Sequence, residues 1–239
     1  MNTIENKMSE LRLHGMSRSW QALVETRRHH ELSVTDALEL LLEAEAQYRD
    51  QNRFDRLQKQ ARFRYKACIE ELNYDAARGL NRSQIAALIT GDYIRKGESI
   101  LVTGATGCGK SFVASALGNH ACLQGFKVMY FNMQKLLIRT KMARIDGSAV
   151  KLFDNLSKCQ LLIIDDFGLM HLETQQQHDL MEIIEDRHAG SATIIASQLP
   201  VSKWYETIGE ETIADAILDR LVHTSHRIEL KGESLRKKA

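Results

Sequence analysis

Three features of this sequence predict an α/β fold built on a parallel sheet. From residue 99 onward, short apolar runs alternate with helical patterns, which implies parallel strands joined by right-handed crossovers. The run Gly104-Ala105-Thr106-Gly107-Cys108-Gly109-Lys110-Ser111 stands between an apolar strand, Ile100-Leu101-Val102, and a helix that starts near Ser111. Four apolar residues, Leu161-Leu162-Ile163-Ile164, end in two carboxylates, Asp165-Asp166.

The glycine-rich run has the form G-x-x-x-x-G-K-[ST]. Its glycines let backbone N–H groups turn inward around phosphate oxygens, and the following helix N-terminus adds partial positive charge. Residues 104–112, through Phe112, therefore read as a nucleotide cradle. Lys110 would reach the outer phosphates and the Ser111 hydroxyl would bind Mg²⁺. The run 161–164 is apolar on both faces, as in a central parallel strand. Carboxylates at its C-terminal end fall where open α/β sheets bind ligands. Asp165 would hold Mg²⁺, directly or through water, and Asp166 would orient or deprotonate an attacking water. A bare glycine turn or an acidic turn could explain either motif alone; their combination implies a nucleoside triphosphate with Mg²⁺.

The remaining elements follow in order. Residues 1–66 read as helical. Leu11, Leu13, Met16, Trp20, Leu23 and Val24 fall near one stripe. Ser33-Val34-Thr35-Asp36 resembles a capping box before Ala37, Leu38, Leu41 and Leu42, which share a helical face. Residues 67–98 form a connector in which Asn81 or Ser83 caps a short helix through Ile85, Ala86 and Leu88. Residues 99–239 form the sheet domain. Its strands are expected near 100–103, 127–131, 160–165, 192–197 and 226–230. Its helices are expected near 110–123, 133–144, 148–157, 174–188, 202–206 and 211–222.

Composition narrows the classes. At 239 residues and 44% hydrophobic, the chain can bury one sizeable core and a small one. A net charge of +1 leaves any nucleic-acid reading to local patches. Cys68, Cys108, Cys122 and Cys159 lack paired spacing, which argues against a zinc site or disulfide framework and fits a reducing cytosol. His223 and His226 have metal-like spacing but no acidic or cysteine partner nearby. No apolar stretch approaches membrane-spanning length.

Two segments are basic. Arg49, Arg53, Arg56, Lys59, Arg62, Arg64 and Lys66 are interrupted only by Asp50 and Asp55, with Phe54, Phe63 and Tyr65 interleaved. Lys127, Lys135, Arg139, Lys141 and Arg144 follow the second strand. Such a run is more often a solvated helix face than a phosphate contact, and the residues alone leave the first segment there.

The last third carries Ile194-Ile195-Ala196-Ser197-Gln198-Leu199-Pro200, then Trp204, then Ala214-Asp215-Ala216-Ile217-Leu218-Asp219-Arg220-Leu221-Val222-His223 and Gly232-Glu233-Ser234-Leu235-Arg236. With the loop at 104–111 and Asp165-Asp166-Phe167-Gly168, the chain resembles the IstB-like transposition helper ATPases of insertion sequences. These are relatives of the DnaC/DnaI helicase loaders in the AAA+ class. The resemblance implies a P-loop NTPase with a five-stranded parallel sheet flanked by helices, preceded by a small all-helical N-terminal domain. It implies that Gln198 senses the γ-phosphate, that Arg220 is an arginine finger reaching a neighbour's nucleotide, and that Arg236 is a weaker second contact. It also implies a homo-oligomer with active sites between subunits, non-sequence-specific duplex DNA binding, and a transposase partner encoded by the same element. The setting would be the bacterial cytoplasm, at the nucleoid when DNA is bound. In that setting Arg49, Arg53, Arg56, Lys59, Arg62 and Arg64, with Lys135, Arg139, Lys141 and Arg144, become candidate DNA contacts. A helicase loader of the DnaC/DnaI type is the alternative, and a single-strand preference would mark it.

Overall fold

The structure, a computed structural model, describes residues 2–235. Arg236, the weaker nucleotide candidate, lies outside them. The chain divides into two compact units, residues 1–56 and 57–239.

The first unit is helical. It holds α1 (Asn2–Glu10), α2 (His14–Glu25) and most of α3 (Val34–Ala61). Met8, Met16, Leu23 and Leu41 form its core, with Leu13 and Trp20 packed against it. Leu11 departs from the expected stripe: it lies in the turn between α1 and α2 and is exposed. Leu38 and Leu42 are exposed as well, so only Leu41 of that group enters the core.

A glycine sets the spacing of α2 on α3. A Cβ at Gly15 would lie 2.4 Å from the Ala44 carbonyl oxygen and 2.7 Å from Glu45 Cα. That approach lets the buried Glu45 carboxylate accept from the N–H groups of Gly15 (2.7 Å) and Met16 (3.2 Å), which belong to the first turn of α2. Arg49 Nε donates to the same carboxylate at 2.7 Å. Burial pushes the Glu45 carboxyl up, but Arg49 and the two backbone donors outweigh it and hold the group below its usual value. At the start of α3, Asp36 N–H donates to Ser33 Oγ at 3.2 Å and the Ser33 hydroxyl donates to the Asp36 carboxylate at 2.7 Å. The short Asp side chain closes the box on the hydroxyl.

In the second unit a connector leads to the sheet. It contains α4 (Arg82–Leu88), capped by Asn81 as expected, and α5 (Asp92–Lys96), which the sequence reading does not include. The elements that follow are β1 (Ser99–Gly104), α6 (Lys110–Leu123), β2 (Val128–Asn132), α7 (Met133–Ile145), α8 (Ala149–Ser157), β3 (Leu161–Phe167), α9 (Thr174–Arg187), β4 (Ala192–Ser197), α10 (Trp204–Ile208), α11 (Glu211–Val222) and β5 (Ser225–Leu230). The five-stranded sheet has the order β2-β3-β4-β1-β5, with every neighbouring pair parallel. β1, β3 and β4 are interior strands, which explains their continuous apolar runs.

Alternate strand residues face opposite layers. Leu101, Leu162, Ile164 and Ile195 pack with residues of α7, α8, α9, α10 and α11. Ile163 faces α6, where a Cβ at Gly118 would meet its Cδ1 at 2.6 Å and Phe63 at the same distance. Arg187, at the end of α9, is 1% exposed. Its guanidinium donates to the carbonyls of Leu156, Cys159 and Ala192 and to Thr193 Oγ1, tying the end of α8 to the starts of β3 and β4. Among the described residues no helix is long and apolar enough to cross a membrane.

Candidate nucleotide site

Strand order decides what meets at the site. β4 runs between β1 and β3, so the C-terminal ends of three neighbouring strands deliver the phosphate loop, Gln198 and the two carboxylates to one place. A cavity of about 350 Å³ there is lined by Thr106, Gly107, Gly109, Lys110, Ser111, Phe112, Asp166 and Gln198. Arg64, Tyr65, Leu169 and Leu235 complete the wall.

The loop has the backbone its glycines predict. Gly109 sits at φ 103° immediately before α6, a conformation open to glycine at little cost. The Lys110 side chain folds back along the loop, its ammonium donating to the Ala105 carbonyl at 2.7 Å. The Thr106 hydroxyl donates to Gln198 Oε1 at 2.5 Å, holding the Gln198 amide over the loop. Residues 232–235 form a strap on this loop. Leu235 N–H donates to the Gly107 carbonyl at 3.0 Å, and a Cβ at Gly107 would fall 2.1 Å from Ser234 Oγ. Arg78 secures the strap by donating to the Glu233 carbonyl at 2.7 Å.

The carboxylates depend on a break in β3. Between the pairs Ile164↔Ile195 and Phe167↔Ser197, β3 advances three residues and β4 advances two. The extra residue is a bulge at Asp165-Asp166. Asp166 adopts φ 57°, the left-handed region that Asp tolerates better than most residues. In an unbroken strand two consecutive side chains would point to opposite faces. Here one guanidinium meets both: Arg64 Nη1 lies 3.2 Å from Asp165 Oδ2 and 2.9 Å from Asp166 Oδ2.

Asp165 is fully buried and also accepts from the Tyr130 hydroxyl and from Asp166 N–H at 2.9 Å. Asp166 accepts from Asn132 Nδ2 at 2.8 Å. Burial and the bond to Asp165 push the Tyr130 hydroxyl up, so it stays a donor. Burial works against the Arg64 charge, but Tyr65, Asp166 and Asp165 more than offset it and hold the guanidinium above its ordinary value.

The residues fit a magnesium nucleotide. A glycine-lined cradle, a lysine, a helix-start serine, the Asp166 carboxylate and a compensating cation, Arg64, share one cavity, and the buried Asp165 lies behind them on the same cation. Lys110, Ser111 and the loop N–H groups would hold the phosphates, and Ser111 with Asp165 would hold the metal.

The remaining candidates lie elsewhere. Arg220, in the last turn of α11, pairs with Glu185 of α9 at 2.5 Å and donates to the Ala216 carbonyl at 2.9 Å. Its Nε is buried with no hydrogen-bond partner among the described residues. His226 pairs with Glu98 at 2.8 Å.

Among the basic residues, Arg64 stands apart, since it pairs with the site carboxylates while also lining the basic groove. Arg49 is engaged by Glu45, and Arg144 pairs with Asp179 at 2.6 Å and Glu182 at 3.3 Å. Two carboxylates beyond 144 in the sequence therefore take up the charge that Arg144 lends to the basic segment. Lys59, Arg62, Lys135 and Arg139 line a groove of about 1310 Å³ that reaches Asp166, with Phe131 and Asn132 in its wall. The Arg139 guanidinium lies over the Phe131 ring, 5.5 Å from its centroid. Lys141 is exposed on α7, and Arg53 and Arg56 are exposed on α3 in the first unit.

The sequence reading places Arg64 among the DNA candidates and not at the nucleotide site, and it misses Tyr130 and Asn132. Arg64 reaches the site from a segment 101 residues before Asp165, and no spacing rule signals that. Asn132 carried a usable signal, since it ends a strand in register with Asp165.

A parallel sheet with a phosphate loop after β1, carboxylates at the end of β3 and a polar residue at the end of β4 defines a nucleotide-binding protein of the P-loop class. The chain matches the IstB-like ATP binding proteins over residues 6–239 and belongs to that family. It is 43% identical over 232 residues to the insertion sequence ATP-binding protein y4pL of Sinorhizobium fredii, covering 97% of this chain and 95% of that one. An ATP-binding protein of insertion sequence IS21 from Pseudomonas aeruginosa is 26% identical over all of this chain and 90% of its own. Solved structures share the fold. The DnaC helicase loader superposes with a TM-score of 0.53 at 22% identity, over 66% of this chain and 96% of that one. AMPPCP-bound DnaA from Aquifex aeolicus gives 0.60 at 17% identity, over 74% and 54%.

Proposed function

We propose that this chain hydrolyses ATP with Mg²⁺ as an oligomer on duplex DNA and delivers that DNA to the transposase of its own insertion sequence. The observation that carries the chemistry is the meeting of Lys110, Ser111, Gln198, Asp165 and Asp166 at the ends of β1, β4 and β3. Lys110 neutralises the β- and γ-phosphates, and the loop N–H groups hold them in place. Asp166, fixed by Asn132, orients the attacking water and accepts its proton. Gln198, fixed by Thr106, donates to the γ-phosphate and aligns it with that water. Bound magnesium supplies charge compensation across the phosphates. Arg220 of a neighbouring subunit completes the site after leaving Glu185, so assembly and hydrolysis are linked.

The DNA reading rests on the groove lined by Lys59, Arg62, Lys135 and Arg139. Separate basic segments converge there with an aromatic ring, and no base-reading element is needed for contact with phosphates. Relatives named for insertion sequences at 43% identity favour transposition over helicase loading, since DnaC and DnaI share only the fold at 22% and 17%.

Replacing Lys59, Arg62, Lys135 and Arg139 together tests the groove. Each lost phosphate contact should flatten the slope of log affinity against log salt by about 0.9 on duplex DNA. Affinity should fall alike on unrelated sequences, with ATP affinity kept. An unchanged slope in a folded variant overturns the groove assignment, and a preference for single strands would favour helicase loading.

A further inference from the structure

Arg64 stands in the wall of two cavities, the nucleotide site and the basic groove. Its guanidinium is spent on the carboxylates of Asp165 and Asp166, whose side chains are 1% and 21% exposed. A buried carboxylate needs a counter-cation, and in this chain Arg64 is that cation. Magnesium would need the Asp165 carboxylate that Arg64 occupies. A divalent ion and a guanidinium on one carboxylate pair repel at a few ångströms in a poorly screened site. Arg64 must therefore withdraw from Asp165 as the metal arrives. Its other open side is the groove, where Lys59, Arg62, Lys135 and Arg139 already crowd positive charge. That space is hostile to a fifth cation until an anion fills it.

We propose that Arg64 is a tethered counter-cation that exchanges between the site carboxylates and an anionic backbone in the groove, so that metal and nucleic acid strengthen each other's binding. The inference rests on the reading of the groove as a DNA path and adds the residue that links it to the nucleotide site. Coupling of this kind is reciprocal: duplex lowers the Mg²⁺ requirement of nucleotide binding, and Mg²⁺-nucleotide raises duplex affinity.

The test is a Mg²⁺ titration of a fluorescent, non-hydrolysable ATP analogue on the full chain, with and without a short duplex. In the unaltered protein, duplex should lower half-saturating Mg²⁺ by about 5-fold or more. Arg64→Ala should already need less Mg²⁺ without DNA, and duplex should shift it by less than about 2-fold. Arg64→Lys should keep part of the shift. Where the alanine variant does not fold, Arg64→Gln retains a donor toward Asp165 and serves in its place. A full shift persisting in Arg64→Ala overturns the exchange, as does an unaltered protein that binds duplex without any shift. If no duplex binds, the DNA reading fails by itself. The DNA-free comparison then decides the exchange: a lower Mg²⁺ requirement in Arg64→Ala supports it, and an equal or higher one overturns it.

Discussion

Asp166 joins an observed conformational feature to the chemical duty proposed for it. Its carboxylate faces the nucleotide cavity only because its backbone turns left-handed at the bulge in β3. Asn occupies that backbone region as readily as Asp, so Asp166→Asn changes the chemistry with little added strain. Hydrolysis should fall by roughly two to four orders of magnitude with nucleotide affinity preserved. Lys110→Ala should do the reverse, abolishing most affinity. Paired measurements of nucleotide Kd and steady-state turnover separate the two. A wild-type rate in Asp166→Asn would remove its role as base. Asp166→Ala is the poorer probe, since alanine disfavours that φ and mixes strain with lost chemistry.

At the scale of elements, the contact of α2 with α3 turns on Gly15 and Glu45. Gly15→Ala places a methyl inside the Ala44 carbonyl contact and should destabilise the helical unit by about 1–3 kcal/mol. Glu45→Gln removes a charge that accepts two backbone donors and should cost about 1–2 kcal/mol. The pH dependence has a definite sign. The folded Glu45 carboxyl is held below its usual 4.5, so its stabilisation is complete above that value and is lost as pH falls beneath it. Urea melts followed by α-helical circular dichroism between pH 7 and pH 3 should show that loss in the unaltered chain and a reduced one in Glu45→Gln. Equal losses would mean other carboxylates dominate.

The elements legible in the sequence are those whose signal is local. The β1–loop–α6 unit is written in thirteen consecutive positions, 99–111, and the apolar run before Asp165 names its own strand. Leu38 and Leu42 misled because helical periodicity shows which residues share a face, not whether that face finds a partner. Arg64 and Arg144 read as members of charge runs, yet their carboxylate partners lie 101 and 35 positions further along. Pairings of that kind arise from strand order, which the alternation of elements leaves open.

On the scale of the whole molecule, the proposed trans finger would make activity a property of the assembly. Arg220→Ala subunits retain a phosphate loop, and Lys110→Ala subunits retain an arginine. Mixtures should recover part of the activity lost by each variant alone, in proportion to the mixed interfaces. Absence of recovery in assemblies shown to be mixed would confine Arg220 to its pairing with Glu185.

The strap over the phosphate loop has a consequence for how the protein comes into being. β1 and the loop leave the ribosome early, but the strand that covers one edge of β1, β5, and residues 232–235 beside Gly107 are made more than a hundred residues later. A nascent chain therefore carries the phosphate-binding signature well before the strand and strap that pack against it exist. A transcript ending before Ser225 should yield a product without measurable ATP affinity although its 104–111 run is intact, and an equilibrium binding assay on that product would check this. Frameshifted copies of such a gene would then be silent as nucleotide binders.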